Sequence, residues 1–186
     1  MRATRVKTVC EQTIASQQVF AGRLLQVRVD EVALKGGQRA TREIVDHPGA
    51  VAIVALQGEG DEQRVALVRQ FRKAAEQFLL EIPAGTLEPG EEPLACAQRE
   101  LLEETGLRAR RWVHLQTFYT APGFCTEKMW LYLAQDVQPV QESHTEDDEH
   151  IEVCFYTRPQ VREMVRSGQF HDAKTLVGLL WWVYAL

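Results

Sequence analysis

The sequence predicts an α+β fold, an α/β/α sandwich in which a sheet lies between helices, preceded by an antiparallel β subdomain. Three observations carry this. From Val19 to Val45 apolar and polar residues alternate about a single Gly-Gly turn. Ala50-Val-Ala-Ile-Val-Ala-Leu56 is a continuous apolar run of the kind found in a strand covered on both faces. Helical spacing then follows over 93–105 and again over 159–185, after and between further strands.

Taken in order, Phe20 to Val32 reads as one strand, Lys35-Gly36-Gly37-Gln38 as a hairpin turn, and Gln38 to Val45 as the returning strand. His47-Pro48-Gly49 breaks the pattern, so residues 1–47 are expected to form the β subdomain and 48–186 the main domain. Ala50 to Leu56 and Arg64 to Arg72 are strands separated by the Gly58 to Glu62 turn, and Leu79 to Pro83 is a short third. The spacing predicts a helix with Pro93 at its first position, Leu94, Ala97 and Leu101 on its buried face, and Gly106 ending it in a left-handed conformation. Trp112 to Tyr119 and Lys128 to Ala134 are strands joined by the loop Thr120 to Glu127. Ile151 to Tyr156 is the last strand. Pro159 to Arg166 and His171 to Ala185 are helices, with Trp181 and Trp182 as packing or interface residues.

Composition narrows the function. The chain has 186 residues, 45% hydrophobic and 25% charged, which suits one globular domain with an ordinary core and a small N-terminal subdomain. A net charge of −5 without a basic run or an aromatic-and-arginine stripe argues against polymeric nucleic acid and anionic membrane as partners. No apolar run approaches a membrane span or a signal-peptide core, so a cytoplasmic location is expected. Cys10, Cys96, Cys125 and Cys154 form no metal-ligand or redox pattern and are read as free thiols.

The chemistry gathers in Gly85 to Leu107. Glu100, Glu103 and Glu104 occupy the last turn of the predicted helix, where the carbonyl end carries partial negative charge. Glu100 and Glu104 are moreover a like-charge i,i+4 pair. At about 100° per residue the three carboxylates share one sector of the helix, beside the apolar stripe. Such an arrangement calls for a cation, although a solvated acidic face is the simpler alternative. The loops Ile82-Pro83-Ala84-Gly85 and Glu88-Pro89-Gly90 are placed to fold towards the same side. Arg72 ends its strand nearby, where its guanidinium suits a forked bond to phosphate. Glu81 is the polar residue of an apolar run, either turned outward or facing the site.

Gly85, Glu91, Arg99, Glu100, Leu101, Glu103, Glu104, Gly106 and Leu107 fill every fixed position of G-x5-E-x7-R-E-U-x-E-E-x-G-U, where U is aliphatic. The stretch therefore resembles the Nudix box. Beyond it, Pro122-Gly123-Phe124-Cys125-Thr126-Glu127 resembles the ADP-ribose pyrophosphatase branch of the Nudix hydrolases, which usually carries Ser-Asp in place of Cys125-Thr126. The resemblance implies a mixed sheet between helices and hydrolysis of ADP-ribose to AMP and ribose 5-phosphate. GDP-mannose, ADP-glucose or another nucleotide sugar is the nearby alternative. It also implies more than one divalent ion, Mg2+ or in its place Mn2+, on Glu100, Glu103 and Glu104 with the Ala84 carbonyl. Arg99 would orient the glutamates, and Arg72, Glu81, Pro122, Gly123, Phe124 and Glu127 would meet the substrate. Either Glu146 or Glu149, in the acidic loop before Ile151, would be the general base. A homodimer in which the N-terminal sheets help form the partner's substrate site is the expected assembly. A nucleotide-sensing, non-catalytic domain is the remaining reading. Sensors of that kind lose box glutamates and gain a DNA-binding module, whereas this chain keeps the glutamates and has no length for the module.

Overall fold

The computed structural model describes residues 11–140 and 151–185. By internal packing the chain divides into two compact units. One holds the described residues up to His47 together with Ala121–Glu127, and the other holds Pro48–Thr120 and the described residues from Lys128 onward.

The first unit is a three-stranded antiparallel sheet, β1 (Gln12–Ala21), β2 (Gln26–Ala33) and β3 (Arg39–Asp46), in that order. One long strand was expected from Phe20 to Val32. The chain instead turns at Gly22–Leu25, closed by the Gly22 N–H donating to the Leu25 carbonyl at 2.8 Å, and β1 runs back along β2. The turn was hidden because Leu24 and Leu25 extend the apolar pattern, yet both are exposed. The Lys35 to Gln38 hairpin forms as expected between β2 and β3, with Gly36 and Gly37 at positive φ. Ala121–Glu127 joins this unit through β3. The Val45 N–H donates to the Phe124 carbonyl and the Thr126 N–H to the Val45 carbonyl. Every residue of β1 is exposed, including Ile14, Val19 and Phe20.

The second unit is built on β4 (Ala50–Gln57), β5 (Arg64–Arg72), β6 (Gln77–Glu81), β7 (Ala84–Thr86), helix α1 (Pro93–Thr105), β8 (Leu107–Arg108), β9 (Arg111–Tyr119), β10 (Lys128–Gln135), β11 (Gln138–Pro139), β12 (Glu152–Thr157), α2 (Arg158–Arg166) and α3 (Ala173–Leu180). Its main sheet runs β12-β5-β4-β10-β9, with β6 on β5 and β7 on β4; β4 and β10 are parallel and the other pairs antiparallel. The sheet is mixed, and helices pack on both of its faces. Period-2 alternation explains why β4 must be apolar throughout. Val51, Ile53 and Ala55 face a cluster with Cys96, Ala97 and Leu101 of α1. Ala52, Val54 and Leu56 face one with Val161 of α2 and Leu179 of α3. On that side Gly178 lets α3 approach closely, since a Cβ there would press on Ile82, Val54 and Leu131.

Two details differ from expectation. Leu94 is exposed, whereas Ala97 and Leu101 are buried as expected and are joined on that face by Cys96, Glu104 and Thr105. Glu104 takes a core position because its carboxylate is hydrogen-bonded there. The C-terminal helix is also not uniform. It begins at Ala173 with Asp172 as N-cap and widens into a π-helical turn over Trp181–Ala185, where Trp182 is fully buried and donates to Gln63 Oε1 at 3.2 Å. Among the described residues no helix is long and apolar enough to cross a membrane, and Cys96, Cys125 and Cys154 carry free thiols.

Candidate active site

The glutamate-rich stretch folds as loop, helix and loop. β7 pairs with β4, placing Gly85 opposite Val51, and α1 packs back over both. Pro93 occupies the first turn of α1, and Gly106, at φ 67°, ends it with its N–H donating to the Leu102 carbonyl at 2.8 Å. The last turn of α1 thereby comes to lie against Ala84 and Gly85. The Ala84 N–H donates to Glu104 Oε2 at 3.1 Å. Gly85 lies so close to Glu100 that any Cβ would overlap the carboxylate carbon and Oε1. The glycine is needed here for space rather than for backbone conformation.

Arg99 organises the carboxylates. Its Nε and Nη2 form a fork on the two oxygens of Glu91, each at 3.0 Å. Its Nη1 donates to Glu100 Oε1 at 2.8 Å and to Glu103 Oε2 at 2.9 Å. The fork and a backbone bond from Glu88 hold the Glu91 carboxyl down at about 2, and the surrounding carboxylates push Arg99 above its usual range. Burial raises the pKa of Glu100 despite the Arg99 charge, and like charge from Glu103 and Glu91 adds to the effect. Cys96, buried next to them, is pushed up to about 12 by desolvation and the nearby carboxylates, so it is an inert thiol.

The set fits a hard divalent cation. Glu100 is a carboxylate whose side chain is 14% exposed, so its charge is costly, and the bare Cα of Gly85 makes the space it fills. The arrangement is not a finished cage. Glu103 is 48% exposed at its side chain and drawn to Arg99, and among the described residues no three acidic, His or Cys side chains stand as a metal cluster. Ala84 meets Glu104 through its N–H.

A model described as the NUDIX domain matches residues 46–176. The chain belongs to the Nudix family. A second model, described as the nucleoside diphosphate sugar hydrolase N-terminal domain, matches residues 11–45. The chain is 42% identical to an ADP-ribose pyrophosphatase of Bacillus subtilis over 91% of each chain. It is 38% identical to a methanol dehydrogenase activator of Bacillus methanolicus over 91% of this chain and 90% of that one. Among solved structures, that of an ADP compounds hydrolase superposes with a TM-score of 0.78 over 91% of this chain and 90% of that one, at 22% identity, which is a likeness of fold.

The other predicted site residues of this Nudix chain fall into three groups. Pro122, Gly123, Phe124 and Glu127 belong to the N-terminal unit, where Glu127 stands 3.7 Å from His47 Nε2 and Phe124 is exposed. Glu146 and Glu149 lie outside the described residues. Arg72 and Glu81 meet each other, with Arg72 Nε and Nη2 each donating to a separate oxygen of Glu81 at 2.8 Å. Glu81 is therefore not an outward position of its strand; it is 1% exposed. The fork predicted for phosphate is engaged by a carboxylate of the chain itself.

Glu91, Lys174, Asp172 and Thr175 are further residues of these networks to which the sequence alone gives no role. Glu91 carried a signal, being a fixed position of the motif. Asp172-x-x-Thr175 carried another, an N-cap acid three residues before its backbone donor. Nothing local told where Lys174 would reach, because its partner Glu81 is 93 residues away.

Proposed function

We propose that this Nudix protein hydrolyses the diphosphate of a nucleoside diphosphate sugar, ADP-ribose foremost, adding water across the P–O–P bridge to release AMP and ribose 5-phosphate. GDP-mannose, ADP-glucose or a related nucleotide sugar is the alternative substrate. The observation that supports this most is the gathering of Glu91, Glu100 and Glu103 by Arg99, with Glu104 held on Ala84 beside them. A sensing domain would not need to preserve so costly a set of charges. The match over residues 11–45 to a domain described by nucleoside diphosphate sugar hydrolysis favours this substrate class.

Glu100, Glu103 and Glu104, with the Ala84 carbonyl, are the groups to hold magnesium, in more than one ion and with manganese as a substitute. When bound, the metal would neutralise phosphate oxygens and acidify a water. Arg99 holds the carboxylates in register and offsets their repulsion. Arg72 presents to the diphosphate the Nη1 edge that its fork on Glu81 does not use. Phe124 offers an aromatic face, Pro122 and Gly123 shape the turn carrying it, and Glu127 supplies a hydroxyl acceptor. Glu146 or Glu149 takes the proton from the attacking water.

The test is turnover of a panel of nucleotide sugars with Mg2+, read as released monophosphate. ADP-ribose is expected to turn over fastest, with activity abolished by chelation and by one of Glu146→Gln and Glu149→Gln. No turnover of any member would exclude the hydrolase reading. We also infer a homodimer, since β1 leaves Ile14, Val19 and Phe20 exposed on a strand open on both faces. Light scattering at twice the mass of 21.2 kDa is expected, and a monomer at micromolar concentration would rule this out. Free thiols at Cys96, Cys125 and Cys154 suit the cytoplasm as its compartment.

A further inference from the structure

Beneath Arg72 lies a polar network that the box does not include. Glu81, at the end of β6, is fully buried and gives both oxygens to the Arg72 fork. Lys174, in the first turn of α3, also donates to Glu81 Oε2, and to Asp172 Oδ2 at 3.0 Å. Its side chain is 11% exposed. Asp172 is in turn fixed as the N-cap of α3, accepting from the Thr175 N–H at 3.0 Å and from the Thr175 hydroxyl at 2.5 Å. That hydroxyl accepts the Ile82 N–H at 2.9 Å, two residues before Ala84. Two cations and two carboxylates thus alternate from Arg72 to the N-terminus of α3.

The electrostatics give this order a consequence. A forked pair between Arg72 and Glu81 alone would be neutral, and a guanidinium cancelled by a buried, unscreened carboxylate has little attraction left for a diphosphate. Lys174 shares that carboxylate. Burial pushes the Glu81 carboxyl up, but Arg72 and Lys174 together hold it below its ordinary value, so it stays ionised and keeps its grip on the fork. The charge of Asp172 is itself partly offset by the positive end of α3. What emerges is an arginine locked in one orientation, its Nη1 unused among the described residues, in a network of zero net charge; without Lys174 the same groups would be net negative beside the diphosphate.

We propose that Lys174 is a positioning residue for diphosphate binding, balancing the Glu81 carboxylate so that Arg72 stays oriented towards the substrate and its charge is not outweighed. This rests on the hydrolase reading above and goes beyond it by bringing α3 into substrate affinity. Lys174 touches no reacting atom, so its effect falls on ground-state binding. Lys174→Met is expected to raise KM for ADP-ribose about tenfold with kcat changed less than about threefold. Lys174→Arg is expected to restore KM, because it returns a cation with donors. Glu81→Gln combined with Lys174→Met is expected to recover most of the loss, because it removes the charge that Lys174 balanced; a merely structural role predicts further damage instead.

Each variant is assayed alongside the wild type after its folding is verified by thermal melting. Should Lys174→Met not fold, Lys174→Gln keeps a donor for Glu81 without the charge and carries the same expectation. A folded Lys174 variant with wild-type KM, or one whose loss lies in kcat alone, overturns the inference while leaving the hydrolase reading intact. Failure of the wild type to turn over any nucleotide sugar overturns both.

Discussion

Glu104→Gln is expected to leave the protein folded and to lower kcat by on the order of a hundred- to a thousandfold. Glutamine retains an oxygen to accept the Ala84 N–H now bonded to Glu104 Oε2 at 3.1 Å, so the contact tying α1 to the loop survives. The charge does not survive, and with it goes the attraction for a divalent cation at a position where a neutral amide is a weak ligand. The variant should melt within a few degrees of the wild type and should lose most of the stabilisation that added Mg2+ gives the wild type, since a ligand stabilises only in proportion to its affinity. A Glu104→Gln protein with wild-type turnover would mean that the metal site has been assigned to the wrong glutamates.

Gly85→Ala is expected to cost about a hundredfold in kcat for the addition of one methyl group. The added Cβ would occupy the place of the Glu100 carboxylate. Backbone conformation is not the difficulty, because Gly85 is not among the residues with positive φ. A side-chain terminus can swing aside, so the fold should persist with a modest drop in melting temperature. The carboxylate would then be displaced by an ångström or more from its place against Arg99 Nη1. Displacements of that size in a catalytic constellation cost far more in rate than in stability. Wild-type activity in folded Gly85→Ala would show that the position of Glu100 does not matter to the reaction.

Much of the active half of the molecule was legible in the sequence because its determinants are local. Helix α1 announces itself through Pro93, the helical spacing and Gly106, and the like-charged Glu100 and Glu104 at its carbonyl end signal that something must compensate them. The run from Ala50 to Leu56 required helices on both faces of its strand, and it has them. Where the local pattern misleads, neighbours distant in sequence outweigh it. The turn at Gly22 was masked by Leu24 and Leu25, whose apolarity reads as buried although both are exposed. Leu94 keeps helical spacing with Ala97 yet points to solvent. Glu104 keeps the same spacing and is buried, because a backbone N–H from another element waits for it.

Local sequence sufficed for the hairpin of β2 and β3, the long strands and helices of the second unit, the family, and which carboxylates belong to one turn of one helix. Short-range geometry alone sets these, through periods of two and 3.6 residues and through fixed spacing. What those groups face is set by packing between elements. That packing engaged the Arg72 fork with Glu81, gave Arg99 three glutamates to hold, and brought Lys174 to Glu81 across 93 residues. Partnership between charges depends on distance and on exclusion of water, and neither exists until β5, β6 and α3 have packed together.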